Sequence, residues 1–359
     1  MRNTCLTGGN RLYFSQILRR RFLMALHYLE TGSTDARYNL AFEEFVLENR
    51  RQGDWLLLWQ NADSVIIGLN QNAAEEVDPA FIRRHGIRVV RRMTGGGAVY
   101  HDLGNLNYSF ITDAEDPAQL SMEVLARPVC RALEALGVRA ELSGRNDICI
   151  DGKKVSGTAQ RLSGGRVLHH GTLLFDSDAE MLSGALRADP EKFRSKAAQS
   201  VRSRVCNIRD CLPGDMELRE FWAAILAELG RDGLVRESLD EAELAEVRRI
   251  AEEKYGSWDW NWGRSPDFGF RARRRFPAGS LELRLDLHAG RIRDAAIFGD
   301  FLALRDCGPA REALLGRRFE RGELEEALRG LPLREYFGGI GLEEILGLIF
   351  GEDGENEGP

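Results

Sequence analysis

The residues best suited to chemistry lie in one short stretch that combines cationic, hydroxyl and glycine residues. Arg91 and Arg92 end an apolar run, and Thr94 and Gly95–Gly97 follow them. Three consecutive glycines are unfavourable inside a helix or strand, because glycine loses the most backbone entropy on ordering. They suit a loop whose N–H groups face an anion, and guanidinium groups match phosphate or carboxylate. The stretch predicts an anion-binding loop between two strands, although a glycine-rich hairpin with solvent-facing arginines remains open.

A second stretch with polar and cationic residues has the pattern of a β-hairpin. Its Asp151-Gly152 pair separates two runs of alternating polarity, which is typical of a tight turn. Alternation places Asp147 and Cys149 on one face of the first strand. A third strand is expected over residues 166–176, so the sheet should be antiparallel or mixed. No GxGxxG or GxxxxGK[ST] sequence joins a predicted strand to a helix, which argues against a Rossmann or P-loop nucleotide site.

The elements that must position these residues follow from apolar periodicity and capping signals. An edge strand is expected over residues 28–31, and a strand hairpin over 55–60 and 64–69. Thr34 or Asp35 can cap the first helix. Helices are predicted over 39–50, 79–85, 121–137, 216–230 and 238–255. A three-stranded meander over 271–276, 280–288 and 292–298, followed by helical segments near 309–316, 322–329 and 341–349, indicates a second, smaller α+β domain.

Composition limits the classes of function. The 359 residues, 43% hydrophobic and 29% charged, are enough for two domains with substantial cores. A net charge of -7 argues against a general nucleic-acid binder, which would more often be basic. Six scattered cysteines without a CxxC pair indicate reduced thiols in a cytoplasmic protein, rather than a disulfide framework or a zinc site. No apolar run approaches the roughly 20 residues of a membrane span.

Both ends of the chain differ in composition from the rest. Five arginines and no acidic residue precede Glu30. Such a start fits an organelle transit segment or an upstream extension of the reading frame before Met24, and the extension is favoured. Residues 1–25 and the acidic tail 351–359 are expected to be disordered.

Four motifs in fixed order connect these features to a known family. They are RRMTGGGAVYHDLGNLNYSF, GRNDICIDGKKVSGTAQR, LHHGTLLFD and SVRSRV. Together they closely resemble the lipoate–protein ligases. The later block GRSPDFGFRARRRFPAGSLELRLDLHAGRI, followed by IFGDF, resembles the accessory domain of two-domain bacterial ligases. The resemblance implies an α+β chain: a mixed-sheet α/β catalytic domain of the biotin/lipoate ligase type over residues 26–240, and a small α+β accessory domain over 241–350.

The activity that the resemblance implies has two steps. Lipoate and Mg²⁺-ATP give lipoyl-AMP and pyrophosphate, and the acyl group then passes to a lysine of a lipoyl-carrier domain. Such domains belong to the E2 subunits of 2-oxoacid dehydrogenase complexes and to the H protein of the glycine cleavage system. A cytoplasmic monomer without nucleic-acid or membrane partners is expected.

The resemblance also implies roles for individual residues. Lys154 occupies the position of the active-site lysine, where a flexible ammonium can contact carboxylate, phosphate and acyl carbonyl in turn. His101 is expected to shape the pocket. The implied nucleotide contacts are Arg92 and the backbone of Gly97, Ala98, Val99 and Tyr100, and the implied lipoate contacts are Gly95, Gly96 and His170. The resemblance assigns Asn146 and Asp147 to Mg²⁺ or the ribose. It assigns Ser200, Arg202 and Arg204 to a loop that closes over the adenylate.

Three other functions remain open. Cys206 could be the nucleophile of an octanoyl/lipoyl transferase that uses an acyl-carrier protein and no ATP, because a thiolate near a basic segment is activated. Its context favours a buried substitution instead. A biotin–protein ligase shares the fold but usually carries a GRGR-type loop. A non-enzymatic binding protein is disfavoured because Lys154 and Arg92 are both retained.

Overall fold

The computed structural model describes residues 26–71, 73–114, 122–144, 146–186, 205–262, 270–288 and 291–350. The two ends predicted to be disordered lie outside the described residues. So do Ser200, Arg202 and Arg204 of the predicted closing loop.

An eight-stranded mixed sheet forms the scaffold of the amino-terminal part. Its strands are β1 (Leu26–Glu30), β2 (Trp55–Trp59), β6 (Asn105–Asp113), β7 (Ala140–Ser143), β8 (Asp147–Ile150), β9 (Lys153–Ser163), β10 (Arg166–Leu174) and β11 (Leu234–Arg236). They are arranged in the order β11-β1-β2-β6-β10-β9-β8-β7. Strand β1 is parallel to β11 and β2, and the other neighbours are antiparallel. The mixed sheet is confirmed, but β1 is not the edge strand that was expected, because β11 pairs along its outer side.

A separate three-stranded sheet carries the glycine stretch. It consists of β3 (Ser64–Ile67), β4 (Arg88–Arg91) and β5 (Val99–His101), in the order β4-β3-β5. The predicted hairpin of residues 55–69 is therefore wrong, because β2 and β3 belong to different sheets. The segment that follows β2 explains why the two strands enter different sheets. Asn39 donates to the Asn61 side chain at 2.9 Å, and the Ala62 N–H donates to the Thr34 carbonyl at 2.8 Å, which fixes the chain as it leaves β2.

Helices pack on both faces of the large sheet and against the small sheet that carries the glycine stretch. They are α1 (Ala36–Asn49), α2 (Ala73–Glu76), α3 (Pro79–His85), α4 (Met122–Ala135), α5 (Ala179–Ala185), α6 (Leu218–Leu229), α7 (Glu241–Ile250) and α8 (Trp258–Asn261), with one π-helical turn at Ala251–Tyr255. Asp35 caps α1 as predicted, accepting from the Arg37 N–H at 2.9 Å. Alternation along β2 sends Leu56 and Leu58 into the core with α4 and α6, and Leu57 and Trp59 into the core with α1.

The carboxy-terminal part has its own sheet and core. Strands β12 (Phe270–Phe276), β13 (Gly279–His288) and β14 (Arg291–Gly299) form the predicted antiparallel meander. Helices α9 (Gly308–Leu314), α10 (Arg321–Leu328), α11 (Leu333–Tyr336) and α12 (Leu342–Phe350) pack on it, and α11 was not predicted. None of the helices in the described part of the chain is both long and apolar enough to span a bilayer.

The segment between the two parts packs on the first core. Val247 and Tyr255 are buried together with residues of α1, and Trp260 packs against the same cluster. The domain boundary predicted at residue 240 stays a prediction, and residues up to Trp260 pack with the amino-terminal core.

Candidate active site

A cavity of about 600 Å³, including its open mouth, lies between the large sheet, α1 and the glycine loop. Its floor is a row of residues on neighbouring strands. Trp59 pairs with Asn107, Asn107 pairs with Thr172, and the Gly157 N–H donates to Thr172 Oγ1 at 3.2 Å. Because strands lie about 4.8 Å apart, the row extends about 14 Å from an aromatic end at Trp59 to a polar end at Gly157.

Lys154 lies at the polar end, and a β-bulge places it there. Asp147 pairs with Gly157 but Cys149 pairs with Lys154, so β9 contains one extra residue, Val155. Cross-strand partners share a face, and the bulge therefore brings Lys154 to the cavity face. Simple alternation from Gly157 would have put it on the opposite face. Lys154 Nζ lies 2.7 Å from Asp147 Oδ1, and a Cβ at Gly157 would lie 2.9 Å from Nζ.

Asn146 and Asp147 occupy different places in the site. Asn146 lines the cavity, and its side-chain amide donates to the Thr158 carbonyl at 2.9 Å. Asp147 is a partly exposed carboxylate whose observed partner is Lys154. Over the described ranges, no group of three or more His, Cys, Asp or Glu side chains is arranged to hold a metal ion.

Arg92 is buried in the cavity wall, and its side chain holds the glycine loop through the backbone carbonyls of the loop. Its guanidinium donates to the carbonyls of Gly95 at 2.7 Å and Gly97 at 2.9 Å. It also donates to the Ile66 carbonyl at 3.1 Å and to Thr94 Oγ1 at 2.9 Å. Burial lowers the pKa of Arg92 to about 10. The buried Arg92 guanidinium therefore stabilises the shape of the loop.

Arg91 does not face the cavity, so its expected part in anion binding is wrong. Its side chain donates to the backbone carbonyls of Gly68, Leu69 and Gln71 at 2.6–3.0 Å. It also donates to the carbonyls of Trp260 at 2.9 Å and Asn261 at 3.0 Å. These contacts fix α8 and the segment after β3 to the start of the glycine loop.

The three glycines have different surroundings. A Cβ at Gly95 would lie 2.4 Å from the Phe301 carbonyl oxygen, so the second domain approaches too closely for any side chain. Gly96 has φ +89°, which favours glycine, and its N–H donates to the same carbonyl at 3.0 Å. Gly97 has open space beside it. Gly96 and Gly97 line the cavity, whereas Gly95 does not.

The residues after the glycines also differ in whether their side chains line the cavity. Ala98 and Val99 line the cavity. The Tyr100 side chain points into another core, where its hydroxyl donates to Asp63 Oδ1 at 3.0 Å. Burial raises the pKa of Tyr100 well above its usual value. The expected nucleotide contact of Tyr100 would therefore involve its backbone. This contact stays a prediction.

His170 lines the cavity within a buried polar chain. Its Nδ1 lies 2.8 Å from Glu43 Oε1, and its Nε2 lies 2.8 Å from Thr94 Oγ1. Ser109 Oγ donates to Glu43 Oε1 at 2.5 Å, and Trp59 Nε1 donates to Ser109 Oγ at 3.0 Å. Sequence reasoning missed Glu43. The available signal was a carboxylate within the apolar stripe of α1, since Leu40 and Leu47 flank it at helical spacing.

His101 is a neutral residue of the cavity wall. Its Nδ1 lies 3.0 Å from Asn61 Nδ2, and burial lowers its pKa to about 3. Its ring meets Trp59 edge to face, with the centroids 6.3 Å apart. His101 therefore contributes to the aromatic end of the cavity, as expected of a pocket-shaping residue.

Cys206 is not arranged as a nucleophile. Its Sγ lies 4.0 Å from Cys211 Sγ, and burial together with this neighbour raises the pKa of Cys206 to about 12. It does not line the cavity. A thiol with such a pKa holds almost no thiolate near neutral pH, so the structure gives no support to a Cys206-dependent transferase.

Comparison with known proteins places this site in a family. The family described as "Lipoyl protein ligase A/B catalytic domain" matches residues 35–230, and "Bacterial lipoate protein ligase C-terminus" matches residues 265–349. Lipoate-protein ligase LplJ of Bacillus subtilis is 43% identical over 321 residues, covering 88% of this chain and 97% of the relative.

Two solved structures resemble the fold. A bi-partite lipoate protein ligase from Thermoplasma acidophilum, described with its E2 lipoyl domain, has a TM-score of 0.59 and 33% identity over 68% of this chain and 98% of that chain. A lipoate-protein ligase A bound with ATP has a TM-score of 0.57 and 31% identity over 67% of this chain and 98% of that chain. The resemblance seen in the motifs is confirmed: this chain belongs to the lipoyl protein ligase A/B family and carries the carboxy-terminal domain of its bacterial lipoate protein ligases.

Proposed function

We propose that this chain is an ATP-dependent lipoate–protein ligase that forms lipoyl-AMP and transfers the lipoyl group to a lysine of a lipoyl-carrier domain. Its relatives carry the name of this activity, and similar structures hold ATP or include an E2 lipoyl domain. One observation supports the mechanism most directly. The bulge at Val155 places Lys154 at the polar end of a cavity whose other end is aromatic.

In the first step, a lipoate oxygen attacks the α-phosphorus of ATP, and the bond from that phosphorus to pyrophosphate breaks. Both reactants are anionic, so a cation placed between them lowers the barrier. Lys154 can supply this charge, because its flexible ammonium already contacts a carboxylate, Asp147, at 2.7 Å. We propose that the substrate anions contact the same ammonium, while Asp147 keeps its contact and holds the lysine near the row.

In the second step, the amine of the carrier lysine attacks the acyl carbonyl of lipoyl-AMP. The bond to AMP breaks, AMP leaves with the bonding electron pair, and the proton lost by the amine passes to water as the amide forms. Charge develops on the carbonyl oxygen, where the same ammonium can stabilise it. Lys154 would therefore serve both steps from one position.

The remaining assignments are part of the proposal. Mg²⁺ would neutralise charge on the ATP phosphates. A single nearby carboxylate, Asp147, fits an ion that phosphates and waters mainly hold. Because Arg92 contacts loop carbonyls, we propose that it positions the loop for the nucleotide. The E2 and H-protein partners, the closing loop at Ser200, Arg202 and Arg204, and the cytoplasmic monomer stay predictions.

Neutralising Lys154 tests this mechanism. Lys154→Ala should lower kcat/KM for lipoate-dependent pyrophosphate release roughly a hundredfold or more, as expected when preorganised charge is removed. Lys153→Ala is the matched control, because Lys153 is the exposed neighbour on the same hairpin. Similar pyrophosphate release from both variants would remove Lys154 from the mechanism.

A further inference from the structure

Strand β9 leaves its neighbour β10 before it reaches Lys154. The two strands pair as far as Gly171, which lies opposite Thr158. Strand β10 continues to pair with β6 on its other side as far as Leu174. Within the described strands, residues 153–157 of β9 have no pairing partner on β10. The part of β9 that carries Lys154 therefore needs another connection to the centre of the large sheet.

A side chain supplies this connection. The Thr158 N–H donates to the Asn146 carbonyl at 2.8 Å and so points towards the β8 side of β9. Because successive N–H groups of a strand point to opposite sides, the Gly157 N–H points towards β10. There it donates to Thr172 Oγ1 at 3.2 Å. The threonine hydroxyl therefore takes the place of the backbone carbonyl that would accept in a continued ladder.

The connection at Gly157 matters because the Lys154 side chain lies over this glycine. A Cβ at Gly157 would lie 2.9 Å from Lys154 Nζ and 3.1 Å from its Cε. Beyond Gly157, the next fixed point is the Lys154 carbonyl, which accepts from the Cys206 N–H at 3.1 Å. The backbone beneath the ammonium is therefore fixed on the β10 side by the half-buried Thr172 hydroxyl, which also lines the cavity.

We propose that Thr172 is a positioning residue for the reaction at Lys154. By accepting from the Gly157 N–H, its hydroxyl holds the backbone on which the ammonium lies, and so keeps the charge at the polar end of the cavity. This inference rests on the proposed function. A side chain without an acceptor would leave the Gly157 N–H without its partner and release this part of β9. Misplacement of a catalytic group by about 1 Å can cost about a hundredfold in rate.

The first test measures the hydrogen bond itself, in protein without any ligand. Thr172→Val keeps the shape of the side chain but removes the acceptor, and it should speed amide hydrogen exchange at Gly157 by roughly two- to tenfold. Thr172→Ser keeps the hydroxyl and should exchange at nearly the wild-type rate. Equal exchange rates in wild type and Thr172→Val would overturn the inference, because the hydroxyl would then not hold Gly157.

The second test compares kinetics with stability in the same two variants. Thr172→Val should lower kcat/KM for lipoate-dependent pyrophosphate release roughly tenfold, mainly through kcat, whereas Thr172→Ser should stay close to wild type. Stability should follow the opposite order, because valine is β-branched and suits a strand better than serine does. Equal kinetic losses in the two variants, or a larger loss in Thr172→Ser, would contradict a role for the hydroxyl.

Thr112→Val is the matched control. Thr112 lies on β6 of the same sheet, and its hydroxyl donates to Asp54 Oδ1. It does not line the cavity, so loss of this hydroxyl should leave kcat/KM unchanged. The same kinetic loss in Thr112→Val and Thr172→Val would assign the effect to general stability and overturn the inference.

The two tests separate this inference from the proposed function. Slower pyrophosphate release in Thr172→Val with unchanged exchange at Gly157 would leave the ligase intact and overturn the positioning role, since Thr172 would then act by contacting the substrate. Absence of any lipoate-dependent release from wild-type protein would remove the ligase proposal, and with it the reaction that this position serves. The exchange measurement would still decide whether Thr172 holds Gly157.

Discussion

At the level of single residues, neighbouring residues determine where the Lys154 side chain lies. Lys154 reaches the cavity face only because Val155 is an extra residue in β9. It then lies over Gly157, where any side chain would meet its ammonium. The position of the charge is therefore set by a bulge and a glycine, neither of which carries a functional group.

Substituting this glycine should impair catalysis with little effect on stability. In Gly157→Ala, the new Cβ would lie 2.9 Å from Lys154 Nζ. The flexible lysine tip can move aside at small cost, but the displaced charge should lower kcat/KM for pyrophosphate release roughly ten- to a hundredfold. Gly214→Ala is the control, because a Cβ at Gly214 would meet no other atom within 4 Å. Unaltered kinetics in Gly157→Ala would show that the lysine does not need this space.

Buried neutral histidines should make the stability fall in acid. Burial holds the pKa of both His101 and His169 at about 3. The unfolded chain binds protons on these residues below about pH 6.5, whereas the folded chain does not until about pH 3. The free energy of unfolding should therefore fall as pH drops through this window, by about 1.4 kcal/mol per pH unit for each histidine.

His169→Phe isolates one of the two contributions. Urea unfolding at about pH 7.5 and about pH 5.5 should show a pH-dependent loss that is smaller than in wild type by about 1.4 kcal/mol. Comparison of the two proteins cancels the titration of other groups. Equal losses in both would mean that His169 takes up its proton without unfolding.

At the scale of elements, two pairs of adjacent residues connect the cavity with the segment that leads to the second domain. Glu43 faces His170, while Glu44 contacts Lys254 Nζ at 2.7 Å and the Tyr255 hydroxyl at 2.7 Å. Arg92 likewise holds the glycine loop, while Arg91 holds the backbone of α8. A shift of this segment would therefore displace Glu44 and Arg91, which are the chain neighbours of Glu43 and Arg92.

Removing Glu44 should test this connection. Glu44→Ala leaves the Lys254 ammonium over the Trp260 ring, 4.3 Å from its centroid, without its carboxylate. The free energy of unfolding should fall by about 1–3 kcal/mol, and kcat/KM for pyrophosphate release should fall as well. Glu48→Ala on the same helix is the control, because the partners of Glu48 are the exposed Arg51 and the Ser163 hydroxyl, neither of which belongs to the segment that leads to the second domain. A Glu44 variant with reduced stability but normal kinetics would argue against the coupling.

Much of this arrangement could be predicted from local patterns. Asp35 as a helix cap and the Asp151-Gly152 turn depend only on nearby residues, and both are confirmed. The supposed hairpin of residues 55–69 failed because Asn39, distant in sequence, determines where the chain goes after β2. The bulge at Val155 could not be predicted either, since only the pairing with β8 shows that β9 contains one extra residue.

At the scale of the whole molecule, the second domain completes the wall behind the glycine loop. The Phe301 carbonyl accepts from the Gly96 N–H at 3.0 Å, and the Leu304 carbonyl accepts from the Leu162 N–H at 2.6 Å. The motifs predicted both domains but not this contact, because backbone carbonyls leave no signature in sequence. Two of the three glycines are therefore explained by the second domain rather than by the ligand.

The central claim is that this chain joins lipoate to a carrier lysine at the expense of ATP. The most direct measurement is the intact mass of a purified lipoyl domain after incubation with the protein, free lipoate and Mg²⁺, with and without ATP. We expect a mass gain of one lipoyl group that requires ATP and is lost in Lys154→Ala. A gain without ATP from an octanoyl-carrier protein, abolished by Cys206→Ser, or no gain with free lipoate and ATP, would contradict it.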